Sequence, residues 1–180
     1  MDTNIDGLLS KARILNKVKI IKTFDSKECY LININEKDHV LIIPPDVKEL
    51  NSNVFYSQMS FTKHLYNLRG NLKVYGGEGL VTTEMAFYNL KLDLLDLTNF
   101  NPVKVQVAKY MFSSLKAKKL DLRGVNFANL VNFSEVFDMA IIDELDLRGM
   151  QIPRVRIMNR TFRGVDTNKI DLSEVDLSAV

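Results

Sequence analysis

Three Leu-Asp-Leu triplets and one Ile-Asp-Leu recur at residues 95–97, 120–122, 145–147 and 170–172, each 25 residues after the one before. A fixed period of about 20–50 residues constrains a fold strongly, because so short a unit cannot bury its own apolar face and must stack on its neighbours. The chain is therefore expected to be a solenoid. Phe87, Phe112, Phe137 and Phe162 keep the same step, each eight residues before its triplet, and they select Leu95 over the adjacent Leu92-Asp93-Leu94 as the register. Three further columns are apolar throughout: Phe100, Val125, Met150 and Val175; Pro102, Phe127, Ile152 and Leu177; Val105, Leu130, Val155 and Val180.

Within a unit the triplet alternates apolar, acidic, apolar, the period of a short strand with one buried face. The rest changes period. Val105, Ala108, Phe112 and Leu115 are spaced i, i+3, i+7, i+10, as are Leu130, Phe133, Phe137 and Ala140, and Val155, Met158, Phe162 and Val165. That spacing predicts one stripe of a short helix or a few tight helical turns. The expected fold is α/β: a leucine-rich-repeat-like solenoid with a parallel sheet on one side, short helical segments on the other, and the phenylalanines as an internal column. A degenerate unit begins at Leu72-Lys73-Val74, 23 residues before Leu95, having lost two residues in the Tyr75-Gly76-Gly77-Glu78-Gly79 loop. Residues 47–70 are ambiguous, one reading being a worn repeat containing Phe55, Phe61 and Leu65.

The first 45 residues differ. A short helix around Gly7–Leu15 precedes β-branched runs at Val18–Phe24, Cys29–Ile34 and Val40–Ile43, separated by Asp25-Ser26-Lys27 and Glu36-Lys37-Asp38 and closed by Pro44-Pro45. These turn signals predict a three-stranded meander. Residues 1–50 are read as an N-terminal β-rich cap, with a separate binding module as the alternative, and residues 51–180 as a solenoid of four to five units.

Among 180 residues, 46% are apolar and 26% charged, as in a folded domain, and the formal net charge is only +2, so no global field draws nucleic acid or an anionic membrane. Cys29 is the only cysteine, which fits a reducing compartment. The opening Met1-Asp2-Thr3-Asn4 carries an acid where a secretory signal carries Lys or Arg, and no long apolar run follows. A cytoplasmic location is expected.

Leu-Asp-Leu-Thr-Asn-Phe at 95–100, then Tyr110-Met111-Phe112 and a second Leu-Asp-Leu, resembles the BspA-like bacterial leucine-rich repeat, and Thr161-Phe162-Arg163-Gly164 echoes that family's Met-Phe-x-Gly segment. The resemblance covers about residues 84–180. It implies a binding role, since such proteins are typically exported adhesion or interaction proteins with many tandem units. This chain departs from them in showing no signal, no anchor and few units, which favours a small intracellular binder.

Binding is expected on a concave sheet face. With the outer residues of each triplet turned inward, Asp96, Asp121, Asp146 and Asp171 form a solvent-facing ladder with Lys73 in the same column. Such close like charges repel unless neighbours offset them. Flanking columns supply Tyr75, Thr98, Arg123, Arg148 and Ser173 on one side, and Asn71, Leu94, Lys119, Glu144 and Lys169 on the other. Two readings stand: Asp is a scaffold choice balanced by cations, or the face is a recognition surface centred on Tyr75, Leu94, Arg123 and Arg148, residue types that include common interface anchors. A second patch, Lys11, Arg13, Lys17, Lys19 and Lys22, either meets phosphates or guards an edge strand against unwanted pairing.

Other chemistry is not indicated. His39 and His64 lack metal-ligand spacing with each other and with Cys29. The Gly76-Gly77-Glu78-Gly79 run has neither a P-loop lysine nor dinucleotide spacing, and flanking cations disfavour calcium on the aspartates. No metal, cofactor or catalytic set is expected. The functional expectation is a non-catalytic module binding a protein, with nucleic acid less favoured and no membrane partner, either monomeric or a weak homodimer through an open C-terminal edge. The alternatives are a phage- or mobile-element-encoded inhibitor of a host machine such as a defence nuclease, resembling an anti-CRISPR, and an adhesion-type surface repeat protein.

Overall fold

The computed structural model describes residues 5–51 and 60–180. Phe55 of the suggested worn repeat lies outside the described residues. The order of elements is helix α1 (Ile5–Ile14), strands β1 (Val18–Lys22), β2 (Glu28–Asn33) and β3 (Asp38–Ile43), helix α2 (Ser60–Leu65), then strands β4 (Asn71–Gly76), β5 (Lys91–Phe100), β6 (Lys116–Asp121), β7 (Ile141–Asp146) and β8 (Lys169–Asp171). All eight described strands form one sheet in chain order. β1, β2 and β3 pair antiparallel, as the turn signals predict, and from β3 onward every pairing is parallel. The meander thus continues the solenoid sheet. Its Ile21, Cys29, Leu31, Leu41 and Ile43 join the same core that runs to Val155, and its other face is covered by α1 through Ala12, Leu8 and Leu9 against Ile32 and Ile42.

The returns between strands from β4 to β8 are turns, not helices. Met85, Tyr110, Glu135 and Arg160 share a left-handed backbone at φ 55–58°, and Asn89, Ser114, Met139 and Gly164 share another at φ 53–62°. A right-handed helix does not accommodate two left-handed residues four positions apart. The amides also point elsewhere: Phe87 N–H donates to Met111 C=O at 3.0 Å, Phe112 to Val136 at 2.9 Å and Phe137 to Thr161 at 3.0 Å, each to the next coil. Inter-coil pairing therefore replaces the i→i−4 bond that a helix needs.

A second periodicity belongs to this geometry. Leu115, Ala117, Leu120, Leu122, Val125, Phe127 and Leu130 are all buried, and so are Ala140, Ile142, Leu145, Leu147, Met150, Ile152 and Val155. The steps alternate two and three, the signature of short extended pieces joined by tight corners. The expected helical stripe was consistent with the same four inward residues per unit, which is why spacing alone misled. The molecule is a sheet-rich β-solenoid of about four turns, and the leucine-rich-repeat helices are not present in the described coils.

The aromatic column is internal from Phe87 to Phe137, and Phe162 at its end is 37% exposed. Phe87, Phe112, Phe137 and Phe162 stack with centroid separations of 5.8, 5.5 and 5.3 Å and nearly parallel rings. On another side, Glu49, Thr82, Val107, Asn132 and Ile157 form a parallel series of bridges, so residues 47–51 begin that side. Buried Asn51 donates to Met85 C=O at 3.0 Å and to Thr62 Oγ1 at 3.1 Å, fastening α2 and its buried Phe61 and Leu65 to the first coil.

Candidate interaction surface

On the sheet's outer face, Lys73, Asp96, Asp121, Asp146 and Asp171 align across β4 to β8, and Asn71, Leu94, Lys119, Glu144 and Lys169 align beside them. Both columns are those expected from the sequence. The third is corrected: a register shift between Lys73 and Tyr75 places Tyr75 opposite Asn99 and not Thr98. Tyr75 is also buried, so it is no exposed centre of the face. Lys73 Nζ sits 5.4 Å from its ring centroid. Leu94 is half-buried.

The aspartate ladder is not solvent-facing at its middle. Asp121 and Asp146 are buried beneath the guanidinium groups of Arg123 and Arg148. Each aspartate also accepts the backbone N–H two residues on, from Thr98, Arg123, Arg148 and Ser173 at 2.9, 3.2, 3.3 and 3.1 Å. A short carboxylate is what reaches its own corner in this way. Arg123 Nε and Nη2 donate to the two oxygens of Asp121 at 2.9 and 2.7 Å, and Arg148 does the same to Asp146 at 2.9 and 2.7 Å. Each Nε also lies 3.5 Å from the aspartate of the next coil, Asp146 and Asp171 respectively. Lys119 meets Glu144 at 3.0 Å and Asp146 at 3.8 Å, Lys73 meets Asp96 at 3.5 Å, and Lys169 approaches Glu144 at 4.0 Å.

These columns hold five cations, Lys73, Lys119, Arg123, Arg148 and Lys169, and five anions, Asp96, Asp121, Glu144, Asp146 and Asp171. The face is electrically self-balanced. Its arginines hold the Asp146 carboxyl below the usual range, chiefly through the Arg148 hydrogen bond, and the Ser173 hydroxyl and N–H do so for Asp171. In return the carboxylates push Arg123 and Arg148 upward.

A folded-state value below the ordinary 3.8 means that the Asp146 contribution is complete above about pH 3.8 and is lost as pH falls through the lower folded value. Urea unfolding from pH 5 to pH 2 is expected to show wild type losing stability more steeply than Asp146→Asn below pH 3.8. At neutral pH the variant should cost about 1–2 kcal/mol, the scale of a charge-assisted hydrogen bond. Parallel pH profiles would rule out this role for Asp146.

The second predicted patch is partly engaged locally. Lys17 Nζ donates to Ile34 C=O at 2.8 Å, Lys22 pairs with Glu28 at 2.6 Å, and Arg13 lies 5.2 Å from the Tyr30 ring centroid. Lys19 is exposed on β1, and Lys11 lines a groove with Leu8, Ala12, Leu15 and Ile34. His39 is buried between Asn33 Oδ1 at 2.9 Å and Arg69 C=O at 3.1 Å, a structural setting. Burial pushes the Cys29 thiol up to about 12, which leaves it unreactive at neutral pH. Among the described residues, no group of three or more His, Cys, Asp or Glu is placed to hold a metal ion. Within the same residues, no helix is long and apolar enough to cross a membrane.

One ionic cluster escaped the sequence reading. Glu135 lies 3.2 Å from Lys109 and 3.9 Å from Arg160, in a hollow of about 660 Å³ that Asn132, Ser134 and Asn159 also line. Arg163 closes on Asp138 nearby at 2.5 Å. Its signal was available: Tyr110, Glu135 and Arg160 share one repeat position, and Lys109, Ser134 and Asn159 share another.

In comparisons with known proteins, no family model, curated protein or solved structure matches this chain. Fold and surface together define its class: a β-solenoid whose sheet face carries a neutralised ionic lattice.

Proposed function

We propose that this chain is a non-catalytic interaction module that binds a protein through the outer face of its parallel sheet. The observation that carries this is the pair Arg123 and Arg148. Each side chain is nearly half exposed, at 48 and 45%, yet both are held by two-point contacts to buried aspartates. An arginine fixed before binding loses little rotamer freedom on docking, and its planar fork suits carbonyl and carboxylate acceptors. The balanced charge of the surrounding columns favours a protein partner over nucleic acid, whose binding draws on net positive charge. The 25-residue spacing and the triplets support kinship with BspA-like repeats, and a binding role agrees with it.

The test is affinity capture from source-cell extract with wild type and with Arg123→Lys plus Arg148→Lys. The double variant keeps the charge and removes the fork. A specific partner retained by wild type should be lost or weakened at least about tenfold, equivalent to about 1.4 kcal/mol. Equal retention by a variant with an unchanged melting curve would place recognition elsewhere.

A further inference from the structure

Two lysines border a groove whose walls are otherwise apolar. Leu8, Lys11, Ala12 and Leu15 are spaced i, i+3, i+4 and i+7, so they share one flank of α1 and the turn that follows it. Between that flank and β2 lies a groove of about 380 Å³, with Ile32 and Ile34 on its strand side and Lys17 beside them. Ile32 is fully buried and lies deepest, whereas Leu15 and Ile34 are 54 and 37% exposed at the open side. The volume falls in the range of about 300–1,000 Å³ typical of small-molecule sites. Among the described residues, Lys11 and Lys17 are the only charged groups lining it, and both are exposed. Lys17 Nζ is steered by its 2.8 Å hydrogen bond to Ile34 C=O, which leaves its other N–H donors to a ligand. Lys11 has no partner among the described residues.

We propose that this groove binds a single-chain amphiphilic anion, a medium-chain alkyl carboxylate whose chain lies over Ile32 and whose head group meets Lys11 and Lys17. Charge and hydrogen bonding select that occupant. A carboxylate complements the two ammonium groups, and a cationic head would be repelled by both. A peptide would bury amides against a strand that offers them nothing. Ile34 N–H already donates to Asp38 C=O at 2.9 Å, Asn33 N–H donates to Lys17 C=O at 3.0 Å, and Ile32 is paired in register with Val40. The Ile34 carbonyl is taken by Lys17. An alkyl chain carries no such group to satisfy, and its burial against leucine and isoleucine is favourable by the area removed from water. The groove is built from α1, β2 and the turn into β1, whereas the proposed protein-binding face is carried by β4 to β8, so the two sites are separable by mutation.

Decanoate titrated at neutral pH into the isotopically labelled 180-residue chain should shift the amide resonances of Leu8, Leu15, Ile32 and Ile34 saturably, with a Kd below about 1 mM. From hexanoate to decanoate each methylene should tighten binding by up to about fourfold, the worth of one buried CH2. Decyltrimethylammonium has the same chain and the opposite charge, and should bind at least about tenfold more weakly than decanoate. Lys11→Glu should weaken decanoate at least about threefold and strengthen decyltrimethylammonium by a similar factor. Opposite changes on the two probes separate a lost contact from a misfolded chain. Leu15→Ser keeps both charges and should weaken both probes, with a melting curve as the check on folding. Absent saturation by decanoate, equal affinity for the two probes, shifts confined to residues away from the groove, or a folded Lys11→Glu that moves neither affinity or moves both the same way would overturn the proposal. So would a chain that sediments with anionic phospholipid vesicles and does not bind free decanoate, which would assign the groove to a bilayer surface.

Discussion

Phe137→Ala is expected to remove about 3–5 kcal/mol of stability, the cost of a large-to-small change in a closed core. Phe137 is fully buried. Its ring stacks on Phe112 at 5.5 Å and on Phe162 at 5.3 Å, and Phe133 meets it edge-on at 5.8 Å. Truncation empties a site that backbone ladders hold open from both sides, so collapse into the void is restricted. In a solenoid, where stability resides in neighbour interfaces, the loss weakens two such interfaces together. Phe162→Ala removes an equal ring that stacks on one side only and is already 37% exposed, so it should cost less than half as much. Equilibrium urea unfolding followed by circular dichroism compares the two. Equal losses would contradict an inward aromatic column that closes at Phe137.

Gly76→Ala is expected to be nearly as damaging, at about 3 kcal/mol or more, because backbone strain and overpacking add there. Gly76 adopts φ +84°, and a Cβ on it would lie 2.1 Å from the Ile43 carbonyl oxygen. That oxygen belongs to the paired strand β3 and already accepts the Gly77 N–H at 3.1 Å, so it has little room to withdraw. Gly124→Ala is the comparison. Its φ is +67° with nothing within 4 Å of the added carbon, leaving strain alone, about 1 kcal/mol. Similar losses at both positions would show that close approach at the β3–β4 junction is not what requires glycine.

The same contact explains a motif that sequence could only describe negatively. Gly76-Gly77-Glu78-Gly79 has no phosphate-binding partner residues, and its glycines serve close packing. A Cβ on Gly77 would meet the Phe100 ring at 2.5 Å, and one on Gly79 the Pro45 carbonyl oxygen at 2.0 Å. The run is where the meander is pressed onto the first coil. Spacing could not reveal this, because Pro45 and Gly79 are brought together only by the parallel β3–β4 crossover.

The sheet face divides in the same manner. Its column alignment was legible, since a strict 25-residue step forces equivalent residues to stack, and the Asp and Lys119–Glu144 columns follow directly. Burial was not legible. Asp146 looked exposed because it alternates with leucines, yet Arg148 folds over it and donates two hydrogen bonds. Tyr75 looked like an exposed anchor, but it lies opposite Ile42 of β3 with Lys73 Nζ 5.4 Å from its ring centroid, and it is buried there.

By itself the sequence determined the repeat length, the register of most columns, the phenylalanine stack, internal as far as Phe137, and the N-terminal meander, because each depends on periodicity or local turn chemistry. Only the tertiary structure decided that the returns are left-handed corners and not helices, that the meander extends the solenoid sheet, and which charges are covered. Those outcomes depend on where backbone amides find acceptors. In this chain the acceptors lie one coil away, about 25 residues along the sequence, beyond the reach of any local pattern.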